Sequence, residues 1–243
     1  MDALRQTPPG TELLAVGPFQ VIVSADPQAD SWVTLVDGDV TEGDVRGALG
    51  RLRAMFARRN TELQIEFNEG VLPQAGAWLE AAGLKLVERN PLMACTPGAF
   101  RPFSAPDVKL TRLDPASPAA DLQAFQTLRW TEGNLAGRPV PPIERLRKEL
   151  ESAASVYLLA WLESDPVGTG VSHLLKKAAE IVGIVTRADR RRRGVAGTVS
   201  SDLVARHFAS GGDFVFLDAA NDEAVRVYER LGFTRFGANL VYR

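Results

Sequence analysis

The sequence predicts an α/β chain, with a mixed α+β sheet in each of two related halves, and three observations carry that reading. Period-two apolar runs alternate with stretches whose apolar residues recur every three or four positions. A segment with three prolines and a glycine, residues 96–106, breaks both patterns and reads as an interdomain linker. The order of strands and helices after the break is echoed, more weakly, before it, which is the mark of an internal repeat. The expected domains are residues 1–100 and 106–243.

After the break, Val108–Leu113 alternates like a strand. Leu122, Phe125 and Leu128 give helical spacing between Ser117 and Arg129, and Pro141-Pro142 opens a second helix over Ile143–Ser152. Strands Ser155–Leu162, Gly168–Leu175 and Ala178–Thr186 follow as an antiparallel meander, joined by Ser164-Asp165-Pro166 and Lys176-Lys177. Val195, Val199, Leu203, Val204 and Phe208 place a helix over Gly194–Ser210, stopped by Gly211-Gly212. Phe214–Leu217 is a short buried strand, Asp222–Leu231 a helix ending at Gly232, and short strands near Thr234 and Leu240 finish the chain. The first half reads as strand Trp32–Val36, helix Gly43–Arg58, strand Leu63–Phe67, helix Pro73–Ala82 and strands near Lys85 and Met93.

Composition narrows the function classes. With 243 residues, 45% hydrophobic and 24% charged, the chain is long enough for two domains of ordinary globular character. A net charge of −2 supplies no global field toward nucleic acid or an anionic membrane, so neither is an expected partner. The single Cys95 excludes an internal disulfide, and no Cys/His cluster has metal-ligand spacing, so no metal is expected. Met1–Gln6 lacks a basic start before an apolar core, and no apolar run approaches the roughly 18 residues of a spanning helix. A cytoplasmic protein, monomer or homodimer, is the expectation.

The run Arg191-Arg192-Arg193-Gly194-Val195-Ala196 lies between a strand and a helix, where backbone N–H groups at a helix N-terminus converge on an anion. Gly194 lets the turn approach a ligand closely, and the small Ala196 and Gly197 leave room beside it. Arg192 and Arg193 add charge-assisted contacts of the kind a diphosphate takes. The arginines at 190–193 also read as a solvated turn or a small nucleic-acid patch, but no aromatic residues interleave with them.

Here the sequence resembles the GNAT superfamily of N-acetyltransferases, whose pyrophosphate loop runs Gln/Arg-x-x-Gly-x-Gly/Ala. Arg191, Gly194 and Ala196 satisfy that pattern. Ile181–Thr186 upstream and Asn221–Phe233 downstream extend the resemblance over residues 106–243. It implies a GNAT fold in tandem arrangement, acetyl-CoA as cosubstrate, and transfer of the acetyl group to an amine by direct attack in a ternary complex. In that family two neighbouring strands splay so that one strand's backbone pairs with the pantetheine arm. Ile184, Val185 and Thr186 would do so here, with the Val185 N–H as candidate donor to the thioester carbonyl.

Tyr228 stands where the family places the proton donor to the departing sulfur, although a helical tyrosine is also an ordinary packing residue. Asn221 either caps its helix or binds the cofactor arm. Glu180 matches the glutamate base of histone-type members, with His173 or a water chain as alternatives. Strand alternation would set Glu180, Val182, Ile184 and Thr186 on one face. The acceptor, a small-molecule or peptide amine, would meet the segment from Arg129 to Pro142, with Trp130, Glu132 and Arg138.

The first half departs from the family. Residues 39–47 are acidic where the cofactor loop should be basic, Leu79 replaces the tyrosine, and the first strand and two helices have no counterpart. It reads as a degenerate, truncated domain, so one acetyl-CoA per chain is expected. A non-catalytic CoA- or acyl-CoA-binding module is the alternative function.

Overall fold

The computed structural model describes residues 11–24, 32–35, 39–133 and 139–243. In chain order the elements are β1 (Thr11–Val16), β2 (Phe19–Ser24), β3 (Trp32–Leu35), α1 (Glu42–Arg58), β4 (Ile65–Asn68), α2 (Ala75–Ala81) and β5 (Leu86–Cys95). There follow β6 (Val108–Leu113), α3 (Ala119–Glu132), α4 (Ile143–Leu150), β7 (Ser155–Leu162), β8 (Asp165–Leu175), β9 (Ala178–Thr186), a single 3-10 turn (Ala188–Arg190), α5 (Val195–Ala209), β10 (Phe214–Asp218), α6 (Asp222–Arg230) and β11 (Thr234–Tyr242). No described helix is long and apolar enough to cross a membrane.

The packing divides into two units, one of residues 93–235 and one of residues 11–92 together with 236–243. The chain changes unit within β5 and again within β11, so the boundaries fall at Leu92/Met93 and Arg235/Phe236 rather than in the proline-rich segment. In the first unit β1–β2–β3 is an antiparallel meander, β3 and β4 are parallel with α1 as their crossover, and β11 lies antiparallel to β4 with Leu240 opposite Phe67. Val45, Leu49, Leu52 and Phe56 of α1 bury against Phe19, Val21, Val33, Ile65 and Phe67, and Ala238, Leu240 and Tyr242 complete that core. The β1–β2 hairpin has no counterpart in the sequence-based prediction. The strands expected near Lys85 and Met93 are one strand, β5, and those near Thr234 and Leu240 are one strand, β11, because Pro91 and Gly237 interrupt the sequence pattern without ending the extended backbone. Val36 of the predicted third-strand segment lies outside the described residues.

In the second unit β7–β8–β9 form the expected antiparallel meander, β6 adds to β7 antiparallel, and β10 joins β9 in parallel. The alternation of β7 assigns the faces. Tyr157 and Leu159 pack with Leu122, Phe125 and Leu128 of α3 and Leu146 of α4. Leu158 and Ala160 pack with Val195, Val199 and Leu203 of α5, Val225 and Tyr228 of α6, and Leu231 just past its end. The proline-rich segment is itself fixed along α5 and the end of α6. Arg101 N donates to Leu231 O, Phe103 N to Ser201 Oγ and Ala105 N to Thr198 Oγ1, each at 2.9 Å.

Candidate active site

Along β9 the sheet opens. β9 pairs with β10 only over Ala178–Glu180, opposite Phe214–Phe216, while β9 itself continues to Thr186. At Gly183, φ is +59° and the β8 register shifts between Thr169 and Val171, so two β9 residues oppose one of β8. This bulge resets the alternation. Glu180 lies in the cross-strand row Ser155–His173–Glu180, next to the row Tyr157–Val171–Val182 that packs under α3, so it shares the α3 face. Past the bulge Ile184 packs into the α5–α6 core, and the Val185 side chain turns toward Gly133 at the end of α3. Glu180, Val182, Ile184 and Thr186 therefore do not share one face, contrary to simple alternation, because the bulge sets Gly183 and Ile184 together against a single residue of β8.

The same register decides which backbone groups face the opening. Arg187 N donates to Val167 O of β8 at 2.8 Å, and the Val185 carbonyl oxygen lies 2.8 Å from where a Cβ on Gly168 would stand. In an antiparallel ladder alternate residues turn both N–H and C=O to the same neighbour. Val185 is thus turned to β8, and Ile184 and Thr186 present their peptide groups to the opening. The Val185 N–H, the expected donor to a thioester, is thereby turned toward β8.

Beyond Thr186 the chain makes its 3-10 turn and enters α5. Asp165 and Asp189 engage Arg187 and Arg190: Arg187 Nε meets Asp189 Oδ1 at 2.7 Å and Arg190 Nη2 meets Asp165 Oδ2 at 3.1 Å. Hydrogen bonds from Arg190 and Arg187 hold the Asp165 carboxyl below the usual range, and those from Arg187 do so for Asp189. Arg191, Arg192 and Arg193 are exposed and meet no carboxylate among the described residues. Arg191 Nε reaches only Thr186 O, at 3.5 Å. Glycine is needed at 194 because φ there is +79° and a Cβ would stand 2.8 Å from Ala105 Cβ. No side chain caps α5, and Thr198 N is the first of its amides to find a helical acceptor, Gly194 O. The N–H groups of Val195, Ala196 and Gly197 start the helix beside three guanidinium groups that meet no carboxylate among the described residues, an arrangement suited to an anion.

Tyr228 is buried on the α5–α6 side in the same cluster as Ile184, its ring 5.7 Å from that of Phe233. Burial pushes its pKa above the ordinary phenol value, opposed by the facing Ser200 hydroxyl, so it stays a proton donor across the neutral range. Asn221 accepts from Ala224 N at 2.9 Å and thereby caps α6, which resolves one of its two predicted roles. Ser155 Oγ and His173 Nδ1 are hydrogen-bonded at 2.8 Å, and Glu180 lies directly across from His173.

Three residues take on a different significance in the structure. Glu132 accepts from Ala188 N at 3.0 Å and steadies the turn before the arginines, so it serves the loop rather than an acceptor. Thr186 Oγ1 is buried without a hydrogen-bond partner. Arg129 lays its guanidinium over Gly183, with Cζ 5.8 Å from the ring centroids of both Phe125 and Trp130. Arg138 lies outside the described residues. An open strand edge, an orphaned hydroxyl at its end and an uncapped, cationic helix start fit the pantetheine and diphosphate of coenzyme A in sequence.

Comparison with known proteins agrees with this architecture. Residues 122–233 match the acetyltransferase (GNAT) family model. A GCN5-related N-acetyltransferase from Kribbella flavida superposes with a TM-score of 0.77 at 21% identity, covering 96% of this chain and 88% of that one. One from Sphaerobacter thermophilus gives 0.69 at 18%, covering 93% and 76%. A tandem GNAT protein from the clavulanic acid biosynthesis pathway gives 0.67 at 14%, covering 97% and 83%. At such identities the likeness is one of fold, and it is the GNAT fold. No curated protein matches the sequence significantly.

Proposed function

We propose, from the match of residues 122–233 to the acetyltransferase (GNAT) family model, that the chain transfers an acetyl group from acetyl-CoA to a primary amine by direct attack in a ternary complex. The observation that supports this best is the unpaired length of β9 running straight into the uncapped start of α5. Acetyl-CoA supplies the thioester and its thiolate leaving group. Ile184 and Thr186 pair with the pantetheine arm beside Val185, and Arg191, Arg192 and Arg193 with the N–H groups of Gly194, Val195, Ala196 and Gly197 hold the diphosphate. Asn221 fixes the start of α6 and so the placement of Tyr228.

In the chemical step the amine nitrogen bonds to the carbonyl carbon and negative charge develops on the oxygen. The Ile184 N–H, aimed into the opening, stabilises that charge. As the C–S bond breaks, Tyr228 gives its hydroxyl proton to the sulfur. Glu180 takes the proton of the attacking ammonium. It stands four residues before Ile184, about 12 Å along a strand, so the proton travels through intervening water, with His173 beside Glu180 as part of the same polar row.

The test has two stages. Acetyl-CoA at about 100 times its dissociation constant adds roughly 2.7 kcal/mol to stability, raising the melting temperature by about 5–10 °C. Absence of any shift overturns the proposal. Free-thiol release with an amine panel then separates an enzyme from a CoA-binding module, which shows the shift without turnover. Tyr228→Phe retains acetyl-CoA binding and loses about 100-fold or more in kcat; unchanged turnover removes Tyr228 from the mechanism.

A further inference from the structure

Resting on the acetyl-transfer reading, we propose that the acceptor side of the site selects for a carboxylate, and that Arg129 is the residue that receives it. Four observations converge on Arg129. Its guanidinium lies over the bulge, 3.1–3.3 Å from where a Cβ on Gly183 would stand, so the glycine lets it approach the backbone closely. It therefore adjoins the Gly183–Ile184 peptide, whose N–H is the thioester donor assigned above. It lies on the α3 face, the face of Glu180 and His173, whereas the arginines of the diphosphate site cluster at the start of α5. And it is partly buried beside two aromatic rings, with no carboxylate in ion-pair distance and no hydrogen bond among the described residues.

Elsewhere in this unit the arginines near the turn are either neutralised by acids or exposed to solvent. Arg187 and Arg190 have Asp165 and Asp189, and Arg145 has Glu149 at 3.2 Å. Burial pulls Arg129 below the usual guanidinium pKa, and the nearby Glu149 and Tyr157 act against that shift. A guanidinium stays charged even so, and a desolvated charge without a partner is unfavourable until an anion arrives. Its planar fork suits two parallel bonds to one carboxylate. Phe125 and Trp130 each lie with ring centroids 5.8 Å from its Cζ, within cation–π range. An amine whose carboxylate sits on Arg129 has its nitrogen separated from the carboxyl group by one or two carbon atoms, which brings it beside Ile184. Amino acids and other short amino-carboxylates fit that spacing, and polyamines do not.

The carboxylate can be carried by the acceptor or by the acyl group of the donor, and the experiment separates them. Protein loaded with CoA is titrated calorimetrically with glycine, β-alanine, L-phenylalanine and L-lysine, each against its carboxamide. In parallel, succinyl-CoA is compared with butyryl-CoA for displacement of CoA. The expected result is at least one acid that binds about 10- to 100-fold more tightly than its carboxamide, a preference that Arg129→Met erases and Arg129→Lys keeps in part. A preference for succinyl-CoA erased in the same way assigns the carboxylate to the acyl group. If neither pair discriminates in the unmodified protein, or if discrimination survives Arg129→Met, the inference is overturned. The acetyl-CoA melting shift, measured on the same variants, is expected to be unchanged; its absence in the unmodified protein would instead overturn the acetyl-transfer reading.

Discussion

Tyr228 and Cys95 are both buried on the α5–α6 side, and burial affects them in opposite functional senses. For Tyr228 it preserves the proton that a leaving thiolate needs. For Cys95, which is 1% exposed, it pushes the thiol pKa from an ordinary 9.0 up to about 11 and leaves only the neutral, unreactive form at neutral pH. Native protein at pH 8 is therefore expected to show no reaction with a thiol-reactive disulfide, while unfolded protein titrates one thiol, so the signal in the turnover assay comes from CoA alone. Rapid native labelling would contradict the buried placement. The linkage has a definite sign: the raised pKa contributes stability that is complete below about pH 9 and is lost as pH climbs toward 11. At this scale the sequence was informative about residue type and poor on orientation. Tyr228, Glu180 and the arginines stand out by position in a pattern, but whether Val185 or Ile184 faces the opening depends on the register set by a bulge. Gly183 inside a strand was a signal for such a bulge, whereas nothing local signals that Arg129 lies over it, since Gly183 is 54 positions away.

The elements of the second unit were legible because each has a strong local period and definite stops. β6, β7 and β9 begin and end where alternation predicts, and α5 differs from its predicted range by one residue at each end. The hairpin of β1 and β2 was not read, and β5 and β11 were divided at Pro91 and Gly237, positions where local preference argues against a strand that long-range pairing nonetheless maintains. The start of α5 yields a prediction of its own. Gly194→Ala places an L-residue at φ +79° and a methyl group 2.8 Å from Ala105 Cβ. The backbone term alone costs about 1–2 kcal/mol, and relief by tilting the turn misaligns the N–H groups of Val195 to Gly197. Both a lower melting temperature and a weaker acetyl-CoA interaction are expected, measured by thermal unfolding and calorimetry. A stability loss with affinity intact would show that the turn relaxes without these amides being part of the diphosphate site.

At the scale of the whole molecule, a chain with two related halves raises the question of how many cofactors it holds. In the first unit the start of α1 is already satisfied by its own residues. Thr41 Oγ1 accepts from Asp44 N, Thr41 N donates to Asp44 Oδ2 at 3.0 Å, and Glu42 pairs with Arg46 one turn on. A diphosphate there would displace a closed capping box and meet two carboxylates. Leu79, fully buried, occupies the helical position that Tyr228 holds in the other unit. These features could be read from residues 39–47 and 79, whereas the return of residues 236–243 to the first unit could not, because nothing within a strand of this composition says which sheet it will join. Its weight in that unit is testable alongside the stoichiometry. Tyr242 stacks on Phe67 at 5.9 Å and closes the core, so Tyr242→Ala is expected to destabilise the first unit by about 3–5 kcal/mol. Calorimetric titration of the unmodified chain with acetyl-CoA is expected to give one site per chain, and replacing Arg191, Arg192 and Arg193 together by glutamine to abolish it. A stoichiometry near two, or a residual site in the triple variant, would mean that the first unit binds the cofactor by groups other than those at the start of α1.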